Sequence, residues 1–158
     1  MKNAQPEVAG ARRARRRTLA DKALIIASTD VEIPFQDVDS VEIAWHGNYF
    51  RYFEAARAVL LRKIDYDYPQ MRDSNYAWPL TEAHVRFVRP LRYGQVVRVW
   101  AGLVEWENRM KVEYSVEDPG TGSRLSSGYT VQCAVTLDTW ELQLVSPPAL
   151  LERLKSYL

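Results

Sequence analysis

The sequence predicts an α+β domain in which an antiparallel sheet of about five to six strands wraps around one long helix. A single amphipathic helix follows the first strand-like segment, and a series of segments rich in β-branched and aromatic residues follows the helix. Turns of hairpin length join most of these later segments, and such short links force neighbouring strands to run antiparallel. A long apolar helix packed on such a sheet makes a two-layer α+β domain.

The first strand and the helix are predicted from the N-terminal half of the chain. Residues 23–36 predict the strand, and Pro34 within them is typical of a sheet edge or a bulge. After a loop at 37–44, a helix is predicted over 48–64, with Asn48 as its N-cap. Apolar side chains recur there at helical spacing and should form a buried stripe: Tyr49, Phe53, Ala56, Leu60 and Ile64.

The remaining strands are predicted from runs of β-branched and aromatic residues. They cover 77–89, 95–106, 109–117, 125–136 and 140–145. Pro90 and Gly94 separate the first two, and an Asp-Pro-Gly turn at 118–120 separates the third from the fourth. Ser146 and Pro147 then begin a short C-terminal helix.

Length and charge predict one domain with a basic leader. The chain has 158 residues, which suits a single domain at 21–158. Residues 1–20 predict a basic, disordered arm, because they lack apolar periodicity and carry a cluster of five arginines at 12–17. This arm is either a solvated tail or a docking segment for an acidic partner such as a carrier protein or nucleic acid.

Composition argues against several classes of protein. A single cysteine excludes an internal disulfide, and two histidines with one cysteine argue against a structural metal site. No recognised nucleic-acid motif occurs in the body of the chain, so a nucleic-acid partner is not expected there. No apolar run reaches the length of a membrane span or of a signal-peptide core, so we expect no membrane association and a cytoplasmic location.

The residues with most chemical information lie between the first strand and the helix. Asp37 and Asp39 occupy a predicted turn, His46 follows, and Asn48-Tyr49 stand where the helix begins. Hydrolysis of a polarised carbonyl needs a base or nucleophile on one side and oriented N–H donors on the other. A turn carboxylate facing a helix N-terminus is a plausible device for that reaction.

The pattern D-x-D-x6-H-x-N-Y-x3-F-E-x2-R, which starts at Asp37 and ends at Arg57, resembles the hotdog-fold acyl-CoA thioesterases in the 4-hydroxybenzoyl-CoA thioesterase branch. The resemblance covers roughly three quarters of the chain. It implies that Asp39 is the catalytic carboxylate, as nucleophile or as general base, and that His46 lies at the active site. It also implies that the helix N-terminus at Asn48 and Tyr49 polarises the thioester oxygen. Asp37 is expected to order the turn through local backbone bonds.

The resemblance implies a substrate site as well. Tyr76, Ala77 and Trp78 would line the acyl pocket. Four basic residues would meet the coenzyme A phosphates: Arg86, Arg89, Arg109 and Lys111. Glu54 is expected to form an ion pair with Arg57, although a different hotdog branch uses a helix glutamate in catalysis. Glu42 stands where the branch usually has a glycine, which leaves the shape of the loop open.

The expected function is hydrolysis of an acyl-CoA thioester to the free acid and coenzyme A, without a metal or redox cofactor. The alternatives are a thioesterase for acyl-carrier-protein thioesters, such as polyketide or aryl-polyene-like chains, and a non-catalytic acyl-CoA-binding module. We expect a homo-oligomer, a dimer or a homotetramer, because a sheet wrapped on one helix keeps free edges. Val97 and Val99 are among the apolar residues expected to need cover from a second copy.

Overall fold

The computed structural model describes residues 18–158. Its strands are β1 (Ile25–Glu32), β2 (Tyr76–Ala77), β3 (Leu80–Phe87), β4 (Val96–Glu105), β5 (Met110–Glu117), β6 (Arg124–Gln132) and β7 (Val135–Thr136). Its α-helices are α1 (Leu19–Lys22), α2 (Tyr49–Lys63), α3 (Tyr68–Asp73) and α4 (Pro148–Leu154). No helix in this part of the chain is long and apolar enough to cross a membrane.

Five strands form one antiparallel sheet in the order β1-β4-β5-β6-β3. Along β4, Val97 and Val99 are fully buried, whereas Arg98 and Trp100 lie half-buried on the opposite face. This alternation defines an inner face toward α2 and an outer face away from it. The expectation that Val97 and Val99 need a second copy for cover is therefore wrong, since they are buried within the described chain.

Helix α2 runs across the inner face, and its predicted stripe is buried as expected. Phe53 stacks in parallel on Tyr114 of β5, with 4.5 Å between ring centroids. Gly128 of β6 leaves room for the same ring, because a Cβ added there would lie 2.6 Å from a Phe53 ring carbon. The aromatic stripe is thus core, and it fixes α2 against the sheet.

A short helix at the N-terminal end of the described residues corrects the predicted boundary of the basic arm. Residues 1–17 lie outside the described residues, but Thr18 caps α1 through a reciprocal capping box with Asp21. Helix α1 lies on the outer face, where a Cβ at Gly102 would meet Leu19 at 2.8 Å, and Lys22 pairs with Glu113 at 2.7 Å. Thr18 to Ala20 therefore belong to the folded domain, because capping and packing fix them.

The predicted last strand, 140–145, is reduced to a single bridge between Leu142 and Val135. Trp140 adopts a positive φ of 55° in the turn after β7, and Leu144 beyond it is 80 % exposed. The neighbouring strand β7 has only two residues, so the segment forms this bridge and the main-chain bonds around it, Thr136 N–H to the Glu141 carbonyl at 3.1 Å and Gln143 N–H to the Ala134 carbonyl at 2.9 Å, without a continuous ladder. The predicted C-terminal helix is present as α4, with Leu150 and Leu154 in the core.

Candidate active site

Asp39 lies in a tight turn between β1 and α2. Its carbonyl accepts a hydrogen bond from the Glu42 N–H at 3.0 Å, and its own N–H donates to the Ile43 carbonyl at 2.9 Å. One carboxylate oxygen accepts from the Val41 N–H at 2.9 Å. The side chain is exposed. These bonds fix the carboxylate while leaving its other oxygen accessible to a substrate or a water molecule.

Glu42 closes this turn in a left-handed conformation, with φ of 63°. The loop therefore keeps the backbone shape for which glycine is the usual residue. A side chain in that conformation costs roughly 1–2 kcal/mol. The sequence left open whether a glutamate at this position changes the shape of the loop. In the structure the turn forms, and Glu42 adopts the strained left-handed conformation.

Asp37 has a structural environment that differs from that of Asp39. Its carboxylate is 1 % exposed and accepts two hydrogen bonds from Arg51, both at 3.2 Å, and one from the Tyr52 hydroxyl at 2.7 Å. Burial and the adjacent Asp37 carboxylate both raise the pKa of Tyr52. Asp37 was expected to order the turn through local backbone bonds, but its carboxylate mainly ties the loop to side chains of α2.

The helical segment after the turn begins at His46, two residues before Asn48, which was predicted to be the N-cap. A single turn of 3-10 helix, His46–Asn48, runs directly into α2. Asn48 therefore makes no capping bond, and its side chain instead donates to the Asp37 carbonyl at 2.9 Å. The Asn48 N–H already bonds the Trp45 carbonyl at 2.9 Å, which leaves the N–H groups of His46 and Gly47 at the free end of the helix.

A cleft of about 470 Å³ brings the turn and the helix start together with the end of β3. It is lined by Asp39, Ile43, Ala44, His46, Tyr49, Phe87, Val88, Arg89 and Pro90. Tyr49 and Phe87 meet edge to face, 4.8 Å between centroids, and burial raises the pKa of Tyr49. The cleft thus has an apolar wall, and its acidic and basic side chains are Asp39, His46 and Arg89.

Four of the predicted site residues lie in this cleft: Asp39, His46, Tyr49 and Arg89. Phe87 and Val88 also line the cleft, although neither residue is predicted from the sequence to lie at the site. The sequence indicates only that these two residues lie at the end of a predicted strand. The folded sheet is needed to show that this end of β3 lies beside the start of α2. Asn48 lies just behind the cleft and holds the loop to the helix.

The other predicted substrate contacts lie elsewhere in the same protomer. Tyr76, Ala77 and Trp78 stand before β3, at the end remote from Phe87, and Trp78 is buried with its indole donating to Tyr66 at 3.0 Å. In that position the Trp78 indole is part of the core.

The predicted phosphate contacts other than Arg89 also lie away from the cleft. Arg86 alternates onto the outer face of β3, on the opposite side from Phe87. Arg109 and Lys111 pair with Glu105, at 2.7 and 3.7 Å, and Arg109 holds the pKa of that carboxyl below its usual range. These three residues therefore cannot reach a substrate in the cleft of their own protomer.

Glu54 and Arg57 pair at 3.1 Å on α2, as expected of a structural ion pair. Arg57 is almost fully buried and Glu54 is half exposed. Neither residue lines the cleft around Asp39. Among residues 18–158, no group of three or more His, Cys, Asp or Glu side chains is arranged to hold a metal ion.

Known proteins share this architecture. "Putative esterase" of Aquifex aeolicus (strain VF5) is 38% identical over 73 residues, 46% of this chain and 57% of that protein. "Putative acyl-CoA thioesterase YneP" of Bacillus subtilis (strain 168) is 25% identical over 91 residues, 56% of this chain and 64% of that protein. The matched segments thus span less than two thirds of these curated relatives.

A solved structure of 4-hydroxybenzoyl-CoA thioesterase, in complex with 4-hydroxybenzoyl-CoA, superposes with a TM-score of 0.70 at 20% identity, covering 81% of this chain and 97% of that one. At that identity the likeness shows the fold, which is the hotdog fold predicted from the motif. The family model of the Thioesterase-like superfamily matches residues 33–154, which include the turn, α2 and the whole of the sheet except β1. The chain belongs to the Thioesterase-like superfamily.

Proposed function

We propose that this protein hydrolyses acyl-CoA thioesters, with Asp39 as general base or nucleophile. The observation that carries the proposal is the accessible Asp39 carboxylate at an apolar cleft, beside the free N–H end of the helix that runs into α2. The description of the Bacillus subtilis relative as an acyl-CoA thioesterase supports the same reaction class. The proposal needs no metal or redox cofactor and places the enzyme in the cytoplasm.

The cleft offers a role for each group in the reaction. The thioester oxygen would accept hydrogen bonds from the N–H groups of His46 and Gly47, where the helix dipole favours negative charge. If Asp39 acts as the base, it takes a proton from water as the water oxygen bonds to the carbonyl carbon. The carbon–sulfur bond then breaks, and the thiolate leaves and takes up a proton. The His46 ring at the cleft would orient the water or the carbonyl.

The proposed enzyme is a homo-oligomer whose sites are completed across β3. Met110 pairs with Gln132, which in turn pairs with Leu80, so the start of β5 and the start of β3 lie at the same end of the sheet. A two-fold axis through the middle of β3 would bring that end of the partner to the cleft. The partner subunit's Arg109 and Lys111 would then join Arg89 around the coenzyme A phosphates.

The same two-fold axis would also bring the segment predicted to line the acyl pocket, residues 76–78, to the cleft of the other subunit. The partner subunit's Tyr76, Ala77 and Trp78 would approach the cleft that they do not reach in their own protomer. In this arrangement the partner's main chain, rather than the buried Trp78 ring, would face the substrate. The predicted substrate contacts remote from Asp39 in one protomer are therefore compatible with one composite site in a dimer or a tetramer.

An acyl-carrier-protein thioester is the second candidate substrate. Clustered arginines at 12–17 and the exposed Arg89 and Arg92 beside the cleft would favour an acidic protein that carries the acyl group. Both substrates contain the same thioester on a phosphopantetheine arm. In one the arm is part of coenzyme A, and in the other it is attached to a carrier protein.

One assay tests the reaction and separates these substrates. Purified full-length protein is given a panel of acyl-CoAs of different length and aromaticity, and the matching acyl-carrier-protein thioesters, while free thiol is measured. Release from the coenzyme A series is expected. Release from the carrier series alone would establish the second candidate, and no release from either would favour a non-catalytic binding module.

A further inference from the structure

A second groove, of about 590 Å³, adjoins the cleft around Asp39. Arg89 and Pro90 line both hollows, so the two form one continuous track beside the loop between β3 and β4. Beyond this shared wall the groove is lined by Arg92, Tyr93, Gly94, Gln95, Asp118 and Leu125. A ligand held at Asp39 can therefore extend into the groove within the same chain.

The loop that lines the groove is held in place by main-chain hydrogen bonds. Ile33, the residue after β1, accepts from the Gly94 N–H and donates its own N–H to the Gln95 carbonyl, both at 2.9 Å. Arg92 lies opposite Ile43 in an isolated antiparallel bridge, and Ile43 lines the cleft. These main-chain bonds place Arg92 next to the cleft wall.

The arginines of this track have no anionic partner in the part of the chain that the structure describes. Arg89 and Arg92 are exposed, and neither side chain forms a hydrogen bond or an ion pair there. The acidic residue of the groove, Asp118, is engaged in its own turn, where one carboxylate oxygen accepts from the N–H groups of Gly120 and Thr121 at 2.8 and 3.1 Å. Guanidinium groups bind phosphate oxygens in a bidentate manner, so two free arginines suit a ligand with more than one phosphate.

An exposed aromatic pair stands beside these arginines. The Tyr93 ring meets the Phe35 ring edge to face, with 5.8 Å between centroids, and the two residues are 61 and 74 % exposed. This much exposed ring surface is free for stacking, and nucleobases stack on aromatic side chains of this kind. Free guanidinium groups beside an open aromatic ring are a combination that suits a nucleotide.

We infer that this groove binds the nucleotide end of coenzyme A, an adenosine that carries a 3′-phosphate and a 5′-diphosphate. Arg89 and Arg92 would bind phosphate oxygens, and the adenine would stack on Tyr93. The inference rests on the proposed function and adds to it the residues that recognise the group bearing the thioester. Coenzyme A would lie along one track, with its thioester at Asp39 and its adenine in the groove.

The shape of the groove favours a nucleotide over a carrier protein. Its volume of about 590 Å³ is within the usual range of small-molecule sites. A carrier protein would contact a broad surface and would place only its phosphopantetheine arm in the track. Such a substrate has no adenine to stack on Tyr93 and no 3′-phosphate for Arg92.

Binding of adenosine 3′,5′-bisphosphate tests the groove without any thioester. This molecule keeps the base, the ribose and phosphate groups of coenzyme A but lacks the pantetheine arm. Calorimetry on the full-length protein should show binding that excess coenzyme A abolishes. Arg92→Ala and Tyr93→Ala should each raise Kd by about tenfold. The controls Arg124→Ala on β6 and Tyr68→Ala on α3, which are also exposed, should not change Kd.

Two results of the calorimetry would overturn the inference. One is the absence of binding by the parent protein. The other is a Kd that is the same in Arg92→Ala, in Tyr93→Ala and in the two controls.

Kinetics separate recognition of the nucleotide from the chemistry at Asp39. The same acyl group is offered on coenzyme A and on pantetheine alone, and the parent protein should have the lower KM for the acyl-CoA. In Arg92→Ala and Tyr93→Ala this preference, expressed as the ratio of the two KM values, should fall by about tenfold, because only the nucleotide end makes the lost contacts. Equal KM values for the two thioesters in the parent protein would overturn the inference and leave the proposed hydrolysis intact.

The two measurements together keep this inference separate from the proposed function. A protein that binds the bisphosphate through Arg92 and Tyr93 but releases thiol from no thioester would overturn the proposed function alone. Thiol release from carrier-protein thioesters alone, without binding of the bisphosphate, would overturn the inference and assign the two arginines to the carrier protein.

Discussion

Asp37 and Asp39 lie two residues apart in the chain, and their environments assign them different roles. Asp37 is enclosed by Arg51 and Tyr52, so its charge stabilises the loop against α2. Asp39 is exposed at the cleft and held by one main-chain N–H, so its charge is available for chemistry. The same pair of residue types therefore supplies one anchor and one candidate catalyst.

Replacement of Asp37 should affect stability more than replacement of Asp39. Asp37→Asn keeps the size but weakens three hydrogen bonds to the buried carboxylate, and we expect the free energy of unfolding to fall by about 1–3 kcal/mol. Asp39→Asn should change it by less than about 0.5 kcal/mol, as an exposed substitution. Urea unfolding of both variants measures the difference. Equal losses would show that the two carboxylates are not divided in this way.

Glu42 should be a site where glycine is at least as stable as the natural residue. Its φ of 63° is strained for a side chain, and Glu42→Gly should raise the free energy of unfolding by up to about 1 kcal/mol. Glu42→Ala removes the carboxylate but keeps the strain, so it should give no such gain. Thermal melts of the two variants measure the difference in stability. If Glu42→Ala stabilises the protein as much as Glu42→Gly, the backbone conformation is not the cause.

His46 should act on turnover more than on substrate binding. If its ring orients the water or the carbonyl, His46→Ala should lower kcat by more than it raises KM. His46→Gln retains a hydrogen-bonding group and should recover part of kcat. Steady-state kinetics on the preferred acyl-CoA separates the two parameters. Unchanged kinetics in His46→Ala would leave the histidine as a surface residue next to Trp45.

At the scale of elements, α2 could be predicted from sequence because its apolar stripe repeats at helical spacing over four turns. The turn with Asp39 could be selected because carboxylates and a histidine precede that helix. The place of Phe87 and Val88 in the cleft wall could not be predicted from sequence, because it depends on which end of β3 lies beside the start of the helix. Helix α1 was missed for a different reason: a four-residue helix has no periodicity, and its capping box and its contact with Gly102 fix it.

Helix α1 should contribute measurably to stability. A chain that begins at Thr18 keeps α1, whereas one that begins at Leu24 loses the contact of Leu19 with Gly102 and the Lys22–Glu113 pair. We expect the shorter chain to lose about 1–2 kcal/mol, or several degrees in Tm. Calorimetry on the two truncated chains measures this, and equal Tm values would show that α1 adds nothing to the domain.

At the scale of the whole molecule, the proposed site needs two copies of the chain, and the free edge of β3 is the proposed contact between them. One protomer supplies Asp39, the helix N-terminus and the apolar wall at Phe87. The proposed partner supplies Arg109 and Lys111 to the same cleft. Activity should therefore decline on dilution together with the dimer, because monomers would keep the carboxylate and lose the partner's contacts.

The most direct measurement is the kcat of Asp39→Asn, which removes the basicity of the carboxylate while preserving its shape. Asp138→Asn, in an exposed turn after β7, is the matched control. If Asp39 is the base or nucleophile for thioester hydrolysis, kcat should fall by about 10²–10⁴-fold in Asp39→Asn and remain unchanged in Asp138→Asn. Retention of more than half of the activity by Asp39→Asn would contradict the assignment.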